Sequence, residues 1–166
     1  MSRLRYSAKR VMVTGGAGFI GSNLVSLIME RTGHSVVNLD AMTYAADHRL
    51  LDHLIGHPRY TFEKADICNR EAVRTVIHRH RPDWIMHLAA ESHVDRSVED
   101  PLTFVATNVM GTANLLAAAR EHFEALNGPE KESFRFLHVS TDEVFGSLGP
   151  TGHFREDTAY DPSSPY

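Results

Sequence analysis

Short apolar or β-branched runs alternate with amphipathic helical patterns along the whole sequence. This alternation is typical of βαβ units, which build a parallel sheet covered by helices. Five runs have the length and composition of strands, and they cover residues 11–14, 35–40, 60–64, 84–89 and 134–140. The sequence therefore predicts an α/β fold with a doubly wound parallel sheet of the Rossmann type.

Helical periodicity fills the gaps between these strands. A first helix is predicted over residues 18–31, with Gly33 placed to end it in a left-handed conformation. A short helix is expected around residues 47–55, in an otherwise irregular segment. Asn69 can cap a further helix, which must stop near Pro82 and buries Ala72, Val73, Val76 and Ile77.

The longest predicted helix begins at Asp100 and Pro101, a good N-cap followed by a proline at the first helical position. It ends at residues 127–129, where asparagine, glycine and proline follow one another. Apolar positions at steps of three and four predict one continuous buried stripe: Val105, Val109, Thr112, Leu116, Ala119, Phe123 and Leu126.

Composition places the chain among single globular domains and excludes several classes. Its 166 residues are 42% hydrophobic and 23% charged, enough to bury a core. The longest unbroken apolar run covers residues 115–119, against the roughly 20 that a membrane-spanning helix needs. We therefore expect no membrane segment, and the basic start lacks an apolar leader, so a cytoplasmic location is predicted.

The net charge and the cysteine and histidine content bear on nucleic-acid binding, disulfides and metal sites. The net charge is -4 and no basic stripe is visible, so we expect no nucleic-acid partner. The basic run at residues 74–81 alternates with apolar residues and is interpreted as a solvated helix face. One cysteine excludes an internal disulfide, and the 11 histidines are mostly scattered, so no metal site is predicted.

A glycine-rich motif follows the first predicted strand. Residues 15–21 read Gly-Gly-Ala-Gly-Phe-Ile-Gly, which contains G-x-G-x-x-G from Gly16. Between a strand and a helix, such glycines let backbone N–H groups and the positive helix end approach a pyrophosphate. The alternative is that they only make a tight turn.

Asp40 ends the second strand, 19 residues after Gly21, at the distance where a carboxylate reaches a ribose 2′-hydroxyl. It would repel a 2′-phosphate, and the next two residues, Ala41 and Met42, offer no cation to hold one. The sequence therefore favours NAD over NADP.

Polar residues also follow the fourth and fifth strands, at the edge where ligands of doubly wound sheets collect. After the fourth come small residues and then Glu91, Ser92, His93, Asp95 and Arg96. The small residues would let a flat ring lie against the sheet. The alternative for Asp95 and Arg96 is that they cap the turn into the next helix.

After the fifth strand, Ser140 and Thr141 precede the adjacent carboxylates Asp142 and Glu143. Adjacent like charges disfavour double ionisation, so one carboxyl tends to stay protonated while the other acts as a base. That division suits a reaction that needs an acid and a base together. The alternative is a solvated turn at the strand end.

Four segments resemble the dTDP-glucose 4,6-dehydratases, extended short-chain dehydrogenase/reductases of nucleotide-sugar metabolism: residues 14–21, 88–97, 140–144 and 162–166. The pair Asp142 and Glu143 is specific, because sugar epimerases of this superfamily normally lack it. The resemblance implies NAD as cofactor and dTDP-glucose as substrate. It also implies a homodimer that pairs through the long helix.

The resemblance further implies roles for individual residues. Tyr166 would take the sugar C4 hydroxyl proton during oxidation by NAD, while Thr141 holds that oxygen. Glu143 would then abstract the C5 proton as Asp142 protonates the departing C6 hydroxyl, and reduction at C6 would leave a 4-keto-6-deoxy sugar. The implied cofactor contacts are Gly15, Gly18, Phe19, Ile20, Gly21, Asp40, Thr43, Asp66, Ile67, Leu88, Ala89, Ala90, Ser92 and Thr107. Ser92 and Thr141 are also candidates for touching substrate.

The family motif at the tyrosine is Tyr-x-x-x-Lys, and the 166 residues end at Tyr166. We therefore expect residues 1–166 to form one NAD-binding domain, without the lysine and without the C-terminal substrate domain, and to be inactive by themselves. Two alternatives stay open. One is another NAD-dependent nucleotide-sugar dehydratase or a 4-epimerase, and the other is an NAD-binding module without catalysis.

Overall fold

A five-stranded parallel sheet forms the centre of the molecule. The computed structural model describes residues 7–166, apart from the side chain of residue 48. The strands are β1 Arg10–Thr14, β2 Ser35–Asp40, β3 Tyr60–Lys64, β4 Trp84–His87 and β5 Arg135–His138. Their order in the sheet is β3-β2-β1-β4-β5, and every neighbouring pair is parallel.

This order reverses direction at β1. The chain adds β2 and β3 on one side of β1 and then returns to add β4 and β5 on the other. In such sheets a ligand crevice opens at the carboxyl ends of the strands that flank the reversal, here β1 and β4. The predicted α/β class with a doubly wound parallel sheet is confirmed.

In the described part of the chain, five helices accompany the sheet: α1 Phe19–Arg31, α2 Arg70–His80, α3 Val94–Glu99, α4 Pro101–Ala125 and α5 Gly128–Ser133. Two short 3₁₀ helices cover His48–Leu54 and Asp142–Phe145. The side chains of β1 alternate between two cores, as the period of a strand requires. Val11 and Val13 pack with α1, whereas Met12 packs with α2 and α4.

The ends of several elements differ from the prediction. Strand β4 stops at His87 rather than at residue 89. The Leu88 N–H still donates to the Thr14 carbonyl at 3.1 Å and also lies 3.3 Å from the Thr14 hydroxyl, whereas the Ala89 N–H donates to that hydroxyl at 3.2 Å. Strand β5 covers residues 135–138 rather than 134–140. The helices α3 and α5 and the 3₁₀ helix Asp142–Phe145 were not predicted.

The expected glycine cap of α1 is wrong, whereas the expected cap of α2 is confirmed. Helix α1 ends at Arg31, and the Thr32 hydroxyl and N–H both donate to the Ile28 carbonyl, at 2.6 and 3.1 Å. Because that carbonyl is satisfied, Gly33 need not be left-handed, and it is not. Asn69 accepts from the Ala72 N–H at 3.0 Å and so caps α2.

Helix α4 is not regular along its length. Between two α-helical parts, the segment Val105–Gly111 has the wider turns of a π-helix. In the regular part that follows, the buried positions are Thr112, Leu115, Ala118, Ala119 and His122, so the predicted stripe lies only partly on the face that packs on the core. Of the seven predicted stripe residues, Thr112, Ala119 and Leu126 are buried, while Val105, Val109, Leu116 and Phe123 are exposed. The continuous buried stripe is therefore wrong.

The expectation of no membrane segment stays a prediction. Helix α4 is long and apolar enough to cross a membrane by length and composition, with 33% of its most apolar window buried inside the protein. Residues 101–119 carry no charge at all, although no apolar run in them is long. One face of α4 packs on α2 and the sheet through Leu115, Ala118 and Ala119.

Candidate active site

The glycine turn, residues 15–18, sits at the carboxyl end of β1, and its first two glycines have no room for a Cβ. Gly15 has a φ of +70°, and a Cβ there would lie 2.7 Å from the Ala89 nitrogen. A Cβ on Gly16 would overlap the Asn38 amide oxygen, and one on Gly21 would overlap the Gly15 carbonyl. The sequence of glycines therefore builds a close contact between the turn, β2 and the segment after β4.

The N-terminus of α1 opens directly from this turn. Gly18 is its N-cap and no side chain caps it. The first helical bond runs from the Ser22 N–H to the Gly18 carbonyl at 2.9 Å, so the N–H groups of residues 19–21 precede the helical ladder. Phe19 and Ile20 have exposed side chains. This arrangement suits an anionic pyrophosphate approached by backbone N–H groups.

Asp40 holds the glycine turn against β2. Its side chain is buried, and its two oxygens accept from the N–H groups of Ala17 at 2.9 Å and Met42 at 2.8 Å. A carboxylate has further lone pairs, so both oxygens keep capacity for a ribose hydroxyl. The strand register also places Lys64 beside Asp40, a cation that the sequence reasoning overlooked.

The other predicted cofactor residues lie after β2, β3 and β4 or on α4. Thr43, Ala90 and Ser92 are exposed, Leu88 and Ala89 are half-buried, and Asp66 accepts from the Cys68 N–H at 2.8 Å. The Cys68 sulfur lies 3.9 Å from the Thr107 hydroxyl, which brings Thr107 to the segment after β3. The Ile67 side chain is buried against Gly111, so a cofactor could reach only its backbone. These contacts stay predictions.

A buried hydrogen-bond network links the glycine turn to the core. The Thr14 hydroxyl accepts from two backbone N–H groups, so its own proton goes to the His87 Nδ1 at 2.7 Å. The His87 Nε2 therefore carries a proton and donates to the Thr112 hydroxyl at 2.9 Å. Burial, and secondarily the neighbouring His138, lowers the pKa of His87 to about 4. The imidazole is thus neutral at pH 7.

Sequence reasoning missed Asn108, which lies in the π-helical segment of α4. Its amide oxygen accepts from the Glu91 N–H at 2.9 Å, and its amide nitrogen donates to the Glu91 carbonyl at 2.8 Å. The Asn108 side chain thus supplies both hydrogen bonds that a neighbouring strand would otherwise give to the Glu91 backbone. The sequence feature that could have indicated Asn108 is an amide side chain within a long uncharged helix, where a buried polar group needs a hydrogen-bond partner.

The predicted acid and base follow β5 on the 3₁₀ helix Asp142–Phe145. Thr141 caps it by accepting from the Glu143 N–H at 3.2 Å. Asp142 is exposed and Glu143 is half-buried. The chain returns over this turn, because the Asp161 N–H donates to the Val144 carbonyl at 3.0 Å and Tyr160 stacks on Phe145.

Tyr166 lies on the same returning segment and is half-buried. Its ring meets the buried Phe104 ring of α4 edge to face, with centroids 6.3 Å apart. The structure thus attaches the tyrosine to the start of α4. The catalytic roles of Thr141, Asp142, Glu143 and Tyr166 stay predictions. Among the side chains that the structure describes, which exclude that of residue 48, no group of three metal-ligating side chains comes together, and the absence of a metal also stays a prediction.

The sequence model of the family described as GDP-mannose 4,6 dehydratase matches residues 12–166. The chain belongs to this family. The dTDP-glucose 4,6-dehydratase of Neisseria gonorrhoeae is 50% identical over 159 residues, which are 95% of this chain and 46% of that protein. This chain therefore spans about half the length of the curated relatives that it matches. The resemblance to dTDP-glucose 4,6-dehydratases noted in the sequence is confirmed.

Solved structures agree with this family assignment. The dTDP-glucose 4,6-dehydratase of Streptomyces venezuelae, with NAD and TYD bound, is 38% identical with a TM-score of 0.81, over 95% of this chain and 47% of that one. The UDP-glucose 4-epimerase of Thermus thermophilus, in complex with NAD, is 30% identical with a TM-score of 0.80, over 95% and 46%. The fold is thus shared by dehydratases and epimerases of nucleotide sugars.

Proposed function

We propose that this chain is the NAD-binding half of a dTDP-glucose 4,6-dehydratase, a lyase that forms dTDP-4-keto-6-deoxyglucose. The observation that carries the proposal is the sequence Thr141-Asp142-Glu143 on a short helix directly after β5, at the same sheet edge as the glycine turn. The similarity to dTDP-glucose 4,6-dehydratases over 95% of the chain supports it.

The residues at the sheet edge fit NAD. The glycine turn and the uncapped N-terminus of α1 would hold the pyrophosphate, and Asp40 would accept from the ribose 2′-hydroxyl. Bound NAD would supply a hydride acceptor and, later in the cycle, a hydride donor. The choice of NAD over NADP rests on the Asp40 carboxylate, which would repel a 2′-phosphate although Lys64 is its neighbour in the register.

The remaining chemistry belongs to side chains of this chain. Tyr166 would take the proton of the C4 hydroxyl, and the Thr141 hydroxyl would hold that oxygen. A ketone at C4 makes the C5 proton acidic, so Glu143 could remove it as a base. Asp142 would give a proton to the departing C6 hydroxyl, which leaves as water. An acid and a base at adjacent positions can perform these two transfers together.

The partners and the assembly are part of the same proposal. The substrate would be the nucleotide sugar dTDP-glucose, held by Ser92 and Thr141 and by the half of the protein that the curated relatives have in addition. The 166 residues by themselves would be inactive. A homodimer would bury the exposed apolar side chains of α4. A cytoplasmic location suits a substrate and a cofactor that are soluble metabolites.

A 4-epimerase is the second candidate, because the Thermus thermophilus UDP-glucose 4-epimerase matches this fold with a TM-score of 0.80. An epimerase needs the cofactor and a proton carrier at C4 but no acid for a leaving C6 hydroxyl. The carboxylates Asp142 and Glu143 would then have no role in the reaction. Their presence favours the dehydratase.

The test is product analysis by NMR with the full-length protein, NAD and dTDP-glucose. We expect a 4-keto-6-deoxy sugar, and a Glu143→Gln variant should reduce turnover by about 10²- to 10⁴-fold without weakening NAD binding. The exposed Glu156 offers a matched control, and Glu156→Gln should keep full turnover. A sugar that retains its C6 hydroxyl would identify an epimerase, and NAD binding without any turnover would identify a binding module.

Asp40→Ala tests the cofactor assignment separately. The variant loses the acceptor for the ribose hydroxyl and frees the N–H groups of Ala17 and Met42, so NAD should bind at least about tenfold more weakly by calorimetry. Thermal unfolding of the same variant separates a lost contact from a collapsed turn. Unchanged NAD affinity would contradict the assignment.

A further inference from the structure

Two chain segments flank the glycine turn, one from each neighbouring strand. The segment after β2 reaches it through the Asp47 N–H, which donates to the Ala17 carbonyl at 2.9 Å. The segment after β4 reaches it at Ala89, whose backbone lies against Gly15. Because β1 lies between β2 and β4, any side-chain bond between these segments crosses the crevice at the end of β1.

Such a bond exists between Tyr44 and Glu91. The Tyr44 hydroxyl donates to a Glu91 carboxylate oxygen at 2.8 Å, and the Arg96 guanidinium lies 3.8 Å above the centre of the Tyr44 ring. The three side chains therefore combine a charge-assisted hydrogen bond with a cation–π contact. Partial desolvation of the hydroxyl and its bond to Glu91 raise the pKa of Tyr44, so the phenol stays a donor at neutral pH.

The two sides of this bridge differ in how firmly they are held. The Glu91 backbone is fixed to α4 by both hydrogen bonds of Asn108, and Arg96 lies on α3. Tyr44 lies on a run of exposed residues, 43–45, and is itself exposed. The bridge would therefore open by movement of the Tyr44 side, with the Glu91 side staying in place.

We propose that Tyr44, Glu91 and Arg96 form a clasp across the dinucleotide crevice that sets the rate of cofactor exchange. The inference rests on the proposed NAD site. None of the three residues is among the predicted cofactor contacts, and every bond of the clasp joins groups of this chain to each other. The clasp therefore opposes binding and release alike, and it changes both rates more than the affinity.

The experiment measures NADH association and dissociation by stopped-flow fluorescence in the full-length protein. Tyr44→Phe removes the hydroxyl but keeps the ring under Arg96, and Arg96→Gln removes the cation. Each variant should raise both rate constants by about three- to tenfold and leave the Kd within about twofold. Glu121→Gln is the matched control, because it removes an exposed ion pair between Glu121 of α4 and Arg74 of α2 and should change neither rate.

The measured rates and Kd distinguish a clasp from a direct cofactor contact. Both rates rising together supports the clasp. A raised Kd with an unchanged association rate overturns it and makes Tyr44 a direct cofactor contact. Unchanged rates overturn the clasp and leave the NAD proposal intact. Failure of the wild-type protein to bind NADH overturns the NAD proposal, and the clasp with it.

Discussion

At the scale of single residues, the site depends on groups that are fixed by buried hydrogen bonds. The His87 Nδ1 accepts a hydrogen bond from the Thr14 hydroxyl and its Nε2 donates one to the Thr112 hydroxyl, so one neutral tautomer joins β1, β4 and α4. Asp40 similarly accepts from two backbone N–H groups at the edge of the crevice. Buried polar groups of this kind stabilise a unique arrangement only while all partners remain in place.

The low pKa of His87 predicts acid sensitivity. Its pKa in the fold is about 4 against an ordinary value of 6.5, so the unfolded chain binds the proton more readily between these values. The stabilisation is complete above pH 6.5 and falls as the pH drops towards 4, by about 3 kcal/mol. Urea unfolding of the wild-type protein at pH 7 and pH 5 should show the loss.

His87→Gln supplies the comparison, because an amide can accept and donate but does not titrate in this range. Its stability should vary less with pH between 6.5 and 4 than that of the wild-type protein. The exposed His53 gives the control, and His53→Gln should keep the wild-type pH dependence. An equal loss in wild type and His87→Gln would contradict a role for this histidine.

At the scale of elements, α4 joins the core to the crevice. Its π-helical segment carries both Thr107, which reaches the segment after β3, and Asn108, which holds the segment after β4. Gly111 ends that segment where a Cβ would meet the Ile67 side chain at 2.7 Å. The irregular turn thus places two polar side chains and one close contact at the carboxyl edge of the sheet.

Asn108→Ala tests this role of the π-helical segment. The change leaves the half-buried Glu91 N–H and carbonyl without partners, so we expect a loss of about 2 kcal/mol in the free energy of unfolding. Denaturant unfolding measures it. Asn23→Ala, which removes one exposed hydrogen bond to the Phe19 carbonyl in α1, should cost clearly less. Equal losses of unfolding free energy in the two variants would contradict a stabilising role for the Asn108 hydrogen bonds.

The elements also show what sequence patterns can and cannot predict. Strand positions and the Asn69 cap followed from local composition, because strand propensity and capping act between near neighbours. The predicted stripe on α4 failed because that helix has apolar residues on two faces and periodicity cannot select between them. The clasp and the Asn108 bridge join residues 47 and 17 positions apart, and no local pattern marks such pairs.

At the scale of the whole molecule, one face of α4 remains apolar and exposed. The side chains concerned are Leu102, Val105, Val109, Met110, Leu116 and Phe123. An exposed apolar patch of this kind marks an interaction surface. Either another protein surface or a lipid phase could cover it, since α4 also has the length and composition of a membrane span. The family resemblance favours a second copy of the protein.

Light scattering of wild type and a Val109→Lys, Leu116→Lys double variant tests this surface. Both positions are about half exposed, so the charges should weaken association without lowering the unfolding temperature. Leu27→Lys, at a comparable exposed position on α1, should leave association unchanged. Binding of the wild-type protein to lipid vesicles, with no self-association, would contradict the dimer.

The sequence by itself determined the alternation of strands and helices, the glycine turn, Asp40 at the end of β2 and the family, because these are recorded in neighbouring residues. Tertiary structure alone decided which face of α4 is buried, where β4 stops, and which distant side chains meet. Thr14, His87 and Thr112, like Tyr44, Glu91 and Arg96, come together only when the sheet order is fixed. The packing of β1 between β2 and β4 brings the residues of each group together, and no stretch of sequence contains that arrangement.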